Sequence, residues 1–256
     1  MNDTPDERPA NPMRAAQANM RPAAIKRFFR EASFAEAKEG FAILLDGRRA
    51  RTPAKKPLVL PTRALAEIVA GEWAGLGETV EPAAMPLTRL ANSALDGVAE
   101  AMAATRAEVA GYAGSDALCY RANEPEELVA AEAAAFDPAL DWAGAALGAR
   151  FLIGRGVVHV QQPEDALQAV RAALKAVESP FALAALHVMT SLTGSALIAL
   201  AVAGRRFDAA EAWRVAHVGE DFQIAKWGDD EDAQARRAAR WRDFEAAART
   251  LGALAD

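Results

Sequence analysis

The chain has 256 residues, of which 52% are hydrophobic and 25% charged, so its composition is that of a globular protein and not of a disordered one. Its net charge of −6 argues against nucleic acid as a partner, because phosphate neutralisation needs an excess of Lys and Arg. The one cysteine, Cys119, excludes an internal disulfide and a cysteine-based zinc site.

The N-terminal part of the chain predicts strands. Residues 1–24 are rich in Pro and Ala and have no apolar segment of the signal-peptide type, so we expect a mobile tail. Residues 25–60 contain short apolar runs, and Asp46-Gly47 between two of them predicts a β-hairpin. Thr62 is placed to cap a following helix. Residues 25–105 are therefore predicted to form a small α+β domain.

The rest of the chain, residues 106–256, predicts an all-helical C-terminal domain. Asp137-Pro138 has the pattern of an N-cap followed by proline at the first helical position, and Asp208 with Glu211 resembles a capping box. No charged residue occurs between Phe181 and Gly204, a stretch long enough to span a bilayer. Polar residues around its middle favour instead a buried helix that is broken near Thr193-Gly194, so we expect no membrane insertion.

The sequence contains few motifs that carry chemistry. It has no phosphate-binding loop of the G-x-x-x-x-G-K-[ST] type, no H-E-x-x-H and no G-x-S-x-G. His217, Glu220 and Asp221 share one face of a predicted helix and could serve a metal- or carboxylate-dependent enzyme. Three ligands from one helix are an incomplete set, so we expect no metal and no cofactor.

The same segment also has the pattern of a docking surface. If residues 208–227 form one helix, Ala212, Val215, Val218, Phe222 and Ala225 make a core stripe. The opposite face carries two tryptophans beside charged groups, a combination typical of interface anchors: Trp213, His217, Glu220, Ile224 and Trp227, with Asp221 at the edge. Either the helix is buried on both sides, or this face meets a partner. A structural helical adaptor is a further alternative.

Four acids follow Gly228, namely Asp229, Asp230, Glu231 and Asp232. Acidic residues are favourable in the first turn of a helix because of the helix dipole. The cluster therefore predicts the start of a new helix after Gly228. Its position directly after Trp227 also extends the predicted docking surface.

Several longer motifs resemble a known family. The segment from Gly40 to Val98, with L-D-G-R, E-W and M-P-L-T-R-L-A-N, resembles the first domain of an assembly chaperone of the F-type ATP synthase. The later segments "GYAGSDALCYRA", "SLTGSALIALAV" and "AHVGEDFQIAKWGDDEDA" resemble motifs of the same family in the right order. The resemblance implies a two-domain fold, with a smaller α+β N-terminal domain and a helical C-terminal domain, and no enzymatic activity.

The resemblance also implies a partner and a site. The family binds the unassembled α subunit of the catalytic head and keeps it from aggregating until β subunit replaces it. The functional acid of the family follows the Trp-Gly pair by a few residues. That position corresponds here to Glu231, with Asp230 and Asp232 as alternatives. We expect a monomer in the bacterial cytoplasm, or in the mitochondrial matrix if the source is a eukaryote.

Overall fold

The N-terminal part of the molecule is built around a small antiparallel sheet. The computed structural model describes residues 25–156 and 158–255, and the tail predicted for residues 1–24 lies outside the described residues. The main sheet contains β2 (Ala32–Ala37), β3 (Gly40–Leu45), β4 (Arg48–Arg49) and β5 (Val59–Leu60), while β1 (Ile25–Lys26) pairs with β6 (Thr79–Val80). Strand β3 is central, because β2 lies along one side and β4 and β5 pair with the other. These strands confirm the prediction for residues 25–60.

The predicted hairpin forms at Asp46-Gly47. Both residues have positive φ, 48° and 75°, as a two-residue type I′ turn requires, and Leu45 pairs with Arg48. The Asp46 carboxylate accepts hydrogen bonds from the backbone N–H groups of Arg30 and Glu31, each at 2.9 Å. These bonds lower the pKa of Asp46 and hold the segment before β2 against the turn.

Helix α1 (Arg63–Ala74) covers one face of the sheet. Thr62 caps it as predicted, because its hydroxyl accepts the N–H of Leu65 at 3.2 Å. Near the other end, the Glu72 carboxylate accepts the N–H groups of Leu87 and Thr88 at 2.8 and 2.7 Å. Those groups belong to the first turn of α2 (Pro86–Ser93), so Glu72 satisfies donors that the helix itself cannot satisfy.

The remainder of the chain is mostly helical. The helices are α3 (Met102–Tyr112), α4 (Glu126–Trp142), α5 (Glu164–Lys175), α6 (Pro180–Thr193), α7 (Ala196–Ala203), α8 (Ala209–Ala216), α9 (Val218–Trp227) and α10 (Glu231–Leu254). Short 3₁₀ or π turns lie at Pro82–Ala84, Ala94–Val98, Ala113–Ser115, Ala117–Cys119 and Ala143–Leu147. One short parallel pair joins β7 (Tyr120–Arg121) to β8 (Gly154–Arg155). A sheet followed by packed helices confirms the α+β class.

The long apolar stretch forms two buried helices, α6 and α7. They are separated at Gly194, whose φ of 68° ends α6, and Ser195 then caps α7 by accepting the N–H of Ile198 at 3.0 Å. The break near Thr193-Gly194 is confirmed. Within residues 25–156 and 158–255, no helix has both the length and the apolar character that a membrane crossing needs.

A buried carboxylate joins this break to the preceding part of the chain. Asp116 is fully buried and accepts the backbone N–H groups of Leu118 and Leu197, both at 3.1 Å. Leu197 lies in the first turn of α7, so the carboxylate satisfies donors at that helix start. Burial nevertheless disfavours the charged form and raises the pKa of Asp116 to about 6.

The C-terminal helix α10 connects the two parts of the molecule. It packs against α6 and α8 and also against α2, where Asp243 forms an ion pair with Arg89. The Thr62 hydroxyl donates to the Ala253 carbonyl at 2.6 Å. The buried residues form one continuous cluster from Phe29 to Ala253. The predicted domain boundary after residue 105 falls inside α3 and stays a prediction.

The predicted helix start at Asp137-Pro138 is wrong. Both residues lie inside α4, which begins at Glu126, where Glu126 and Glu127 occupy the first turn. The Asp137 carboxylate accepts a hydrogen bond from Arg121 at 2.8 Å instead of capping a helix. Phe136 and Ala139 are buried on either side, and this packing stabilises the helix through the proline although one backbone hydrogen bond is lost.

Candidate docking surface

The segment predicted to form one helix from Asp208 forms two, and the single-helix prediction is wrong. The capping box of Asp208 and Glu211 starts α8 as expected. The chain leaves helical geometry at His217, with φ −117° and ψ 17°. The His217 ring nitrogen Nδ1 lies 2.8 Å from the Trp213 carbonyl, the acceptor that the backbone N–H of residue 217 would use in a continuous helix. The side chain thus replaces the backbone donor and ends α8.

The break changes which side chains are buried. Ala212 and Val215 are buried as predicted, whereas Val218 and Phe222 are only partly buried and Ala225 is exposed. Val218 still packs against the core, but the predicted stripe does not extend to Ala225. None of the side chains of α9 is fully buried.

Trp213 lies in the buried core. Its side chain is 7% exposed, and its ring centroid lies 3.8 Å from that of His217, 5.4 Å from Phe244 and 5.5 Å from Trp241. This cluster lies between α8 and α10. A partner could reach Trp213 only by opening the cluster, and the docking role of this residue stays a prediction.

His217 is also part of the core. It is 4% exposed, and burial lowers the pKa of its imidazole, which favours the neutral form. Because Nδ1 faces a carbonyl, the proton of the neutral ring belongs on Nδ1 and the lone pair on Nε2. The nearest carboxylate oxygen to Nε2 is on Glu220 at 3.8 Å, beyond hydrogen-bond distance.

Asp221 and the two other histidines of the chain, His187 and His159, each contact a different group. Asp221 forms an ion pair with Arg237 of α10, and a cation there competes with any metal. His187 Nε2 lies 3.1 Å from a carboxylate oxygen of Glu108, and His159 Nδ1 lies 3.3 Å from the Tyr120 hydroxyl. Among the residues that the structure describes, no three potential ligands come together. The expected absence of a metal and of a cofactor stays a prediction.

Helix α9 ends in an exposed aromatic side chain, Trp227. Trp227 is 75% exposed, which is high for a residue of its size and apolar character. The helix is held at its edges by polar contacts: Asp221 with Arg237, and Lys226 with Glu127 at 4.0 Å. Glu220 is partly exposed on the same helix. Burial thus separates the two tryptophans, with Trp213 in the core and Trp227 at the surface.

The acids after Gly228 open α10, as predicted. Gly228 has φ 82°, which redirects the chain, and Asp230 is the N-cap, whose carboxylate accepts the N–H of Ala233 at 2.8 Å. Glu231 and Asp232 lie in the first turn and are exposed. The Glu231 carboxylate forms no hydrogen bond or ion pair with another described residue. Asp230 therefore has a structural role, and Glu231 is available to a partner.

We call the exposed set of Glu220, Trp227, Asp230, Glu231 and Asp232 the acidic surface. Other large apolar side chains are exposed although no pattern in the sequence predicts it: Ile25, Phe28, Leu152, Ile153 and Val158. Most of them lie in irregular segments, where no periodicity relates a residue to a face of the molecule. Only the packing of neighbouring elements determines their exposure.

Comparison with known proteins identifies the family. The sequence profile described as ATP12 chaperone protein matches residues 26–144. A candidate chaperone from Agrobacterium tumefaciens has a structure similar to this chain, with a TM-score of 0.87 and 47% sequence identity over 97% of this chain and 92% of that one. Atp12 from Paracoccus denitrificans gives a TM-score of 0.81 and 41% identity over 89% of this chain and 97% of that one. The same values hold for an aspartate-to-lysine variant of that protein.

Both organisms are bacteria, as expected for a bacterial member of the family. The family profile and the Agrobacterium protein are described as chaperones and not as enzymes, which confirms the prediction of a protein without enzymatic activity. The alternative of an enzyme that uses His217, Glu220 and Asp221 has no support from the buried His217 imidazole or from Asp221, which is paired with Arg237. The profile matches residues 26–144, and the two similar structures cover 97% and 89% of the chain at 47% and 41% identity, so we conclude that the chain belongs to the ATP12 chaperone family.

Proposed function

We propose that this chain is an assembly chaperone of the F-type ATP synthase that binds the unassembled α subunit. Membership of the ATP12 chaperone family and the motif resemblance described above support this proposal. An isolated α subunit exposes surface that its neighbours cover in the finished ring, and exposed apolar surface leads to aggregation. A chaperone that covers this surface must later yield to β subunit, so its contact should be partly polar and only moderately tight.

The single observation that carries the proposed contact is that the exposed Trp227 precedes the unpaired Glu231 by four residues. A tryptophan that is 75% exposed loses its unfavourable hydration when a partner covers it. The unpaired Glu231 carboxylate lies at the start of the next helix and can meet a basic group of the α subunit. Asp230 caps that helix, and Asp221 holds α9 on α10 through Arg237. We therefore assign the contact to Trp227 and Glu231 and the positioning to Asp230 and Asp221.

Two further properties belong to the proposal. We expect the chain to act as a monomer. We also place it in the bacterial cytoplasm, since both similar structures come from bacteria. A eukaryotic member would act in the mitochondrial matrix. A helical adaptor for a different protein is the remaining alternative, and it would use the same exposed side chains.

The test is protection of α subunit from aggregation. Purified α subunit is diluted from denaturant with and without an equimolar amount of the chain, and light scattering is recorded. We expect the parent chain to suppress scattering and Glu231→Lys to lose most of this protection, because removing one side of a desolvated charge pair costs about 2–5 kcal/mol. Glu178→Lys is the matched control, since Glu178 lies in a different part of the chain.

The stability of Glu231→Lys must be measured beside its activity. An acid in the first turn of a helix contributes about 0.3–1 kcal/mol, so a lysine there should lower stability only modestly. Folded Glu231→Lys that protects α subunit as well as Glu178→Lys does would reject Glu231 as a contact. Failure of the parent chain to protect α subunit at any ratio would reject the α subunit as partner and favour the adaptor alternative.

A further inference from the structure

The N-terminal part of the molecule contains a groove that the proposed function does not use. It has a volume of about 580 Å³ and lies between the β3–β4 hairpin, the segment before β2 and helix α1. Its lining includes the aromatic side chains of Phe28, Phe29 and Trp73. Three arginines, Arg48, Arg49 and Arg51, also line it.

The arginines of the groove are free to meet an anion. The side chains of Arg48 and Arg49 form no hydrogen bond or ion pair with another residue in the described parts of the chain, and both are exposed. Arg51 donates one hydrogen bond to the Lys55 carbonyl at 2.9 Å, which leaves most of its donors free. The one acid in the lining, Asp46, already accepts two backbone N–H groups. The groove is therefore positive on a chain whose net charge is −6.

The apolar side of the groove is also exposed. Phe28 is 65% exposed and packs edge-on against the buried Phe29 ring, and Ile25 nearby on β1 is 59% exposed. The Trp73 ring also packs against Phe29, with centroids 5.5 Å apart. The indole N–H of Trp73 is buried and has no acceptor among the described residues. An aromatic residue exposed beside unpaired arginines has the composition of a protein contact site.

We propose that this groove binds an acidic segment of a partner protein, in which carboxylates flank one large apolar side chain. The apolar side chain packs on Phe28, and the carboxylates pair with Arg48 and Arg49, whose planar guanidinium groups match a carboxylate in two hydrogen bonds. Charge complementarity selects this occupant, because the groove offers donors and almost no free acceptor. Nucleic acid is less suitable, since the arginines form one short cluster and not a continuous basic path along the surface. The proposal stands independently of the α-subunit contact, which we assign to the acidic surface.

The test uses a synthetic peptide as the probe. Fluorescein-labelled Asp-Glu-Asp-Leu-Phe-Glu-Asp-Glu is titrated with the full chain at low salt, and fluorescence anisotropy gives Kd. We expect binding that weakens at least tenfold for Arg48→Glu/Arg49→Glu and for Phe28→Ala. The matched control is Lys38→Glu/Arg214→Glu, which makes the same charge change at positions outside the groove. The control variant should bind the peptide as the parent does.

Further probes decide between the occupants. A peptide with alanine in place of Leu-Phe should bind at least tenfold more weakly than the first. Equal loss of binding in the control variant and in the groove variant would overturn the proposal. So would tighter binding of a labelled single-stranded oligonucleotide than of the acidic peptide, or unchanged binding in Phe28→Ala. Normal protection of α subunit by Arg48→Glu/Arg49→Glu is expected, which separates this site from the acidic surface.

Discussion

Replacing each of the two tryptophans of the docking segment with alanine should separate the fold from the function. Trp213 is 7% exposed and packs against three aromatic rings, whereas Trp227 is 75% exposed. A buried tryptophan removes roughly 150–250 Å² from water, which corresponds to about 4–6 kcal/mol at about 25 cal/mol per Å². Measured Trp→Ala changes in cores cost about 3–5 kcal/mol, in agreement with that figure.

These energies translate into a clear difference in melting temperature. A loss of 1 kcal/mol lowers Tm by roughly 2–4 °C for a chain of this length, so Trp213→Ala should melt roughly 10 °C below the parent. Trp227→Ala changes an exposed side chain, and its effect should stay within about 0.5 kcal/mol, or roughly 2 °C. The conservative variant Trp213→Phe should recover part of the loss, because it keeps a ring in the cluster.

The assay combines thermal unfolding by circular dichroism with the α-subunit aggregation assay. Trp227→Ala is expected to melt as the parent does and to protect α subunit poorly. Equal destabilisation of both variants would refute the assignment of Trp227 to the surface. A Trp227→Ala variant that is fully folded and fully protective would refute its role as the apolar anchor.

Two other predictions concern the fold. Asp116→Asn should weaken the dependence of the free energy of unfolding on pH. Burial raises the folded pKa of Asp116 to about 6 from an ordinary value of 3.8. Protonated Asp116 therefore stabilises the parent fully below pH 3.8, and this contribution is lost as the pH rises through 6. Urea unfolding of both proteins at pH 4.5 and pH 7 measures the free energy of unfolding. The parent should lose about 2 kcal/mol more than the variant between these pH values. An equal loss in both proteins would contradict the titration of Asp116 in the folded state. Gly40→Ala should destabilise strongly, because Gly40 has φ 130° and an added Cβ would lie 2.2 Å from the Leu60 carbonyl oxygen. Its urea midpoint should fall well below that of Gly47→Ala, whose Cβ would meet no atom within 4 Å, and a smaller loss than in Gly47→Ala would contradict the steric explanation.

Local signals in the sequence predicted many elements correctly. The hairpin at Asp46-Gly47, the cap at Thr62, the capping box of Asp208 and Glu211 and the helix start after Gly228 all depend on residues within a few positions of each other. Turn and cap preferences are properties of the backbone and of adjacent side chains, so they can be read without tertiary contacts. The family likewise follows from short motifs that keep their order along the chain, and the matching profile confirms it.

Only the tertiary structure showed which side chains of the predicted docking surface are exposed. Periodicity placed Trp213 and Trp227 on one face of one helix, because it assumes that the helix continues through His217. The bond from the His217 ring to the Trp213 carbonyl ends α8, and α10 supplies the aromatic partners that bury Trp213. A pattern along a single helix contains no information about a helix that arrives later in the chain, and burial depends on that arrival.

Tertiary packing also decided the roles of the four acids and the residues that line the basic groove. The sequence alone showed four acids in a row but could not distinguish the cap Asp230 from the unpaired Glu231, because that difference depends on which backbone N–H each carboxylate reaches. Phe28 and Arg48 lie in different segments with no shared period, and the folding of the hairpin beside the segment before β2 and α1 brings them to one groove. Turns and helix caps were determined by neighbouring residues, whereas the exposure of the two proposed contact surfaces was determined by packing between elements that are distant along the chain.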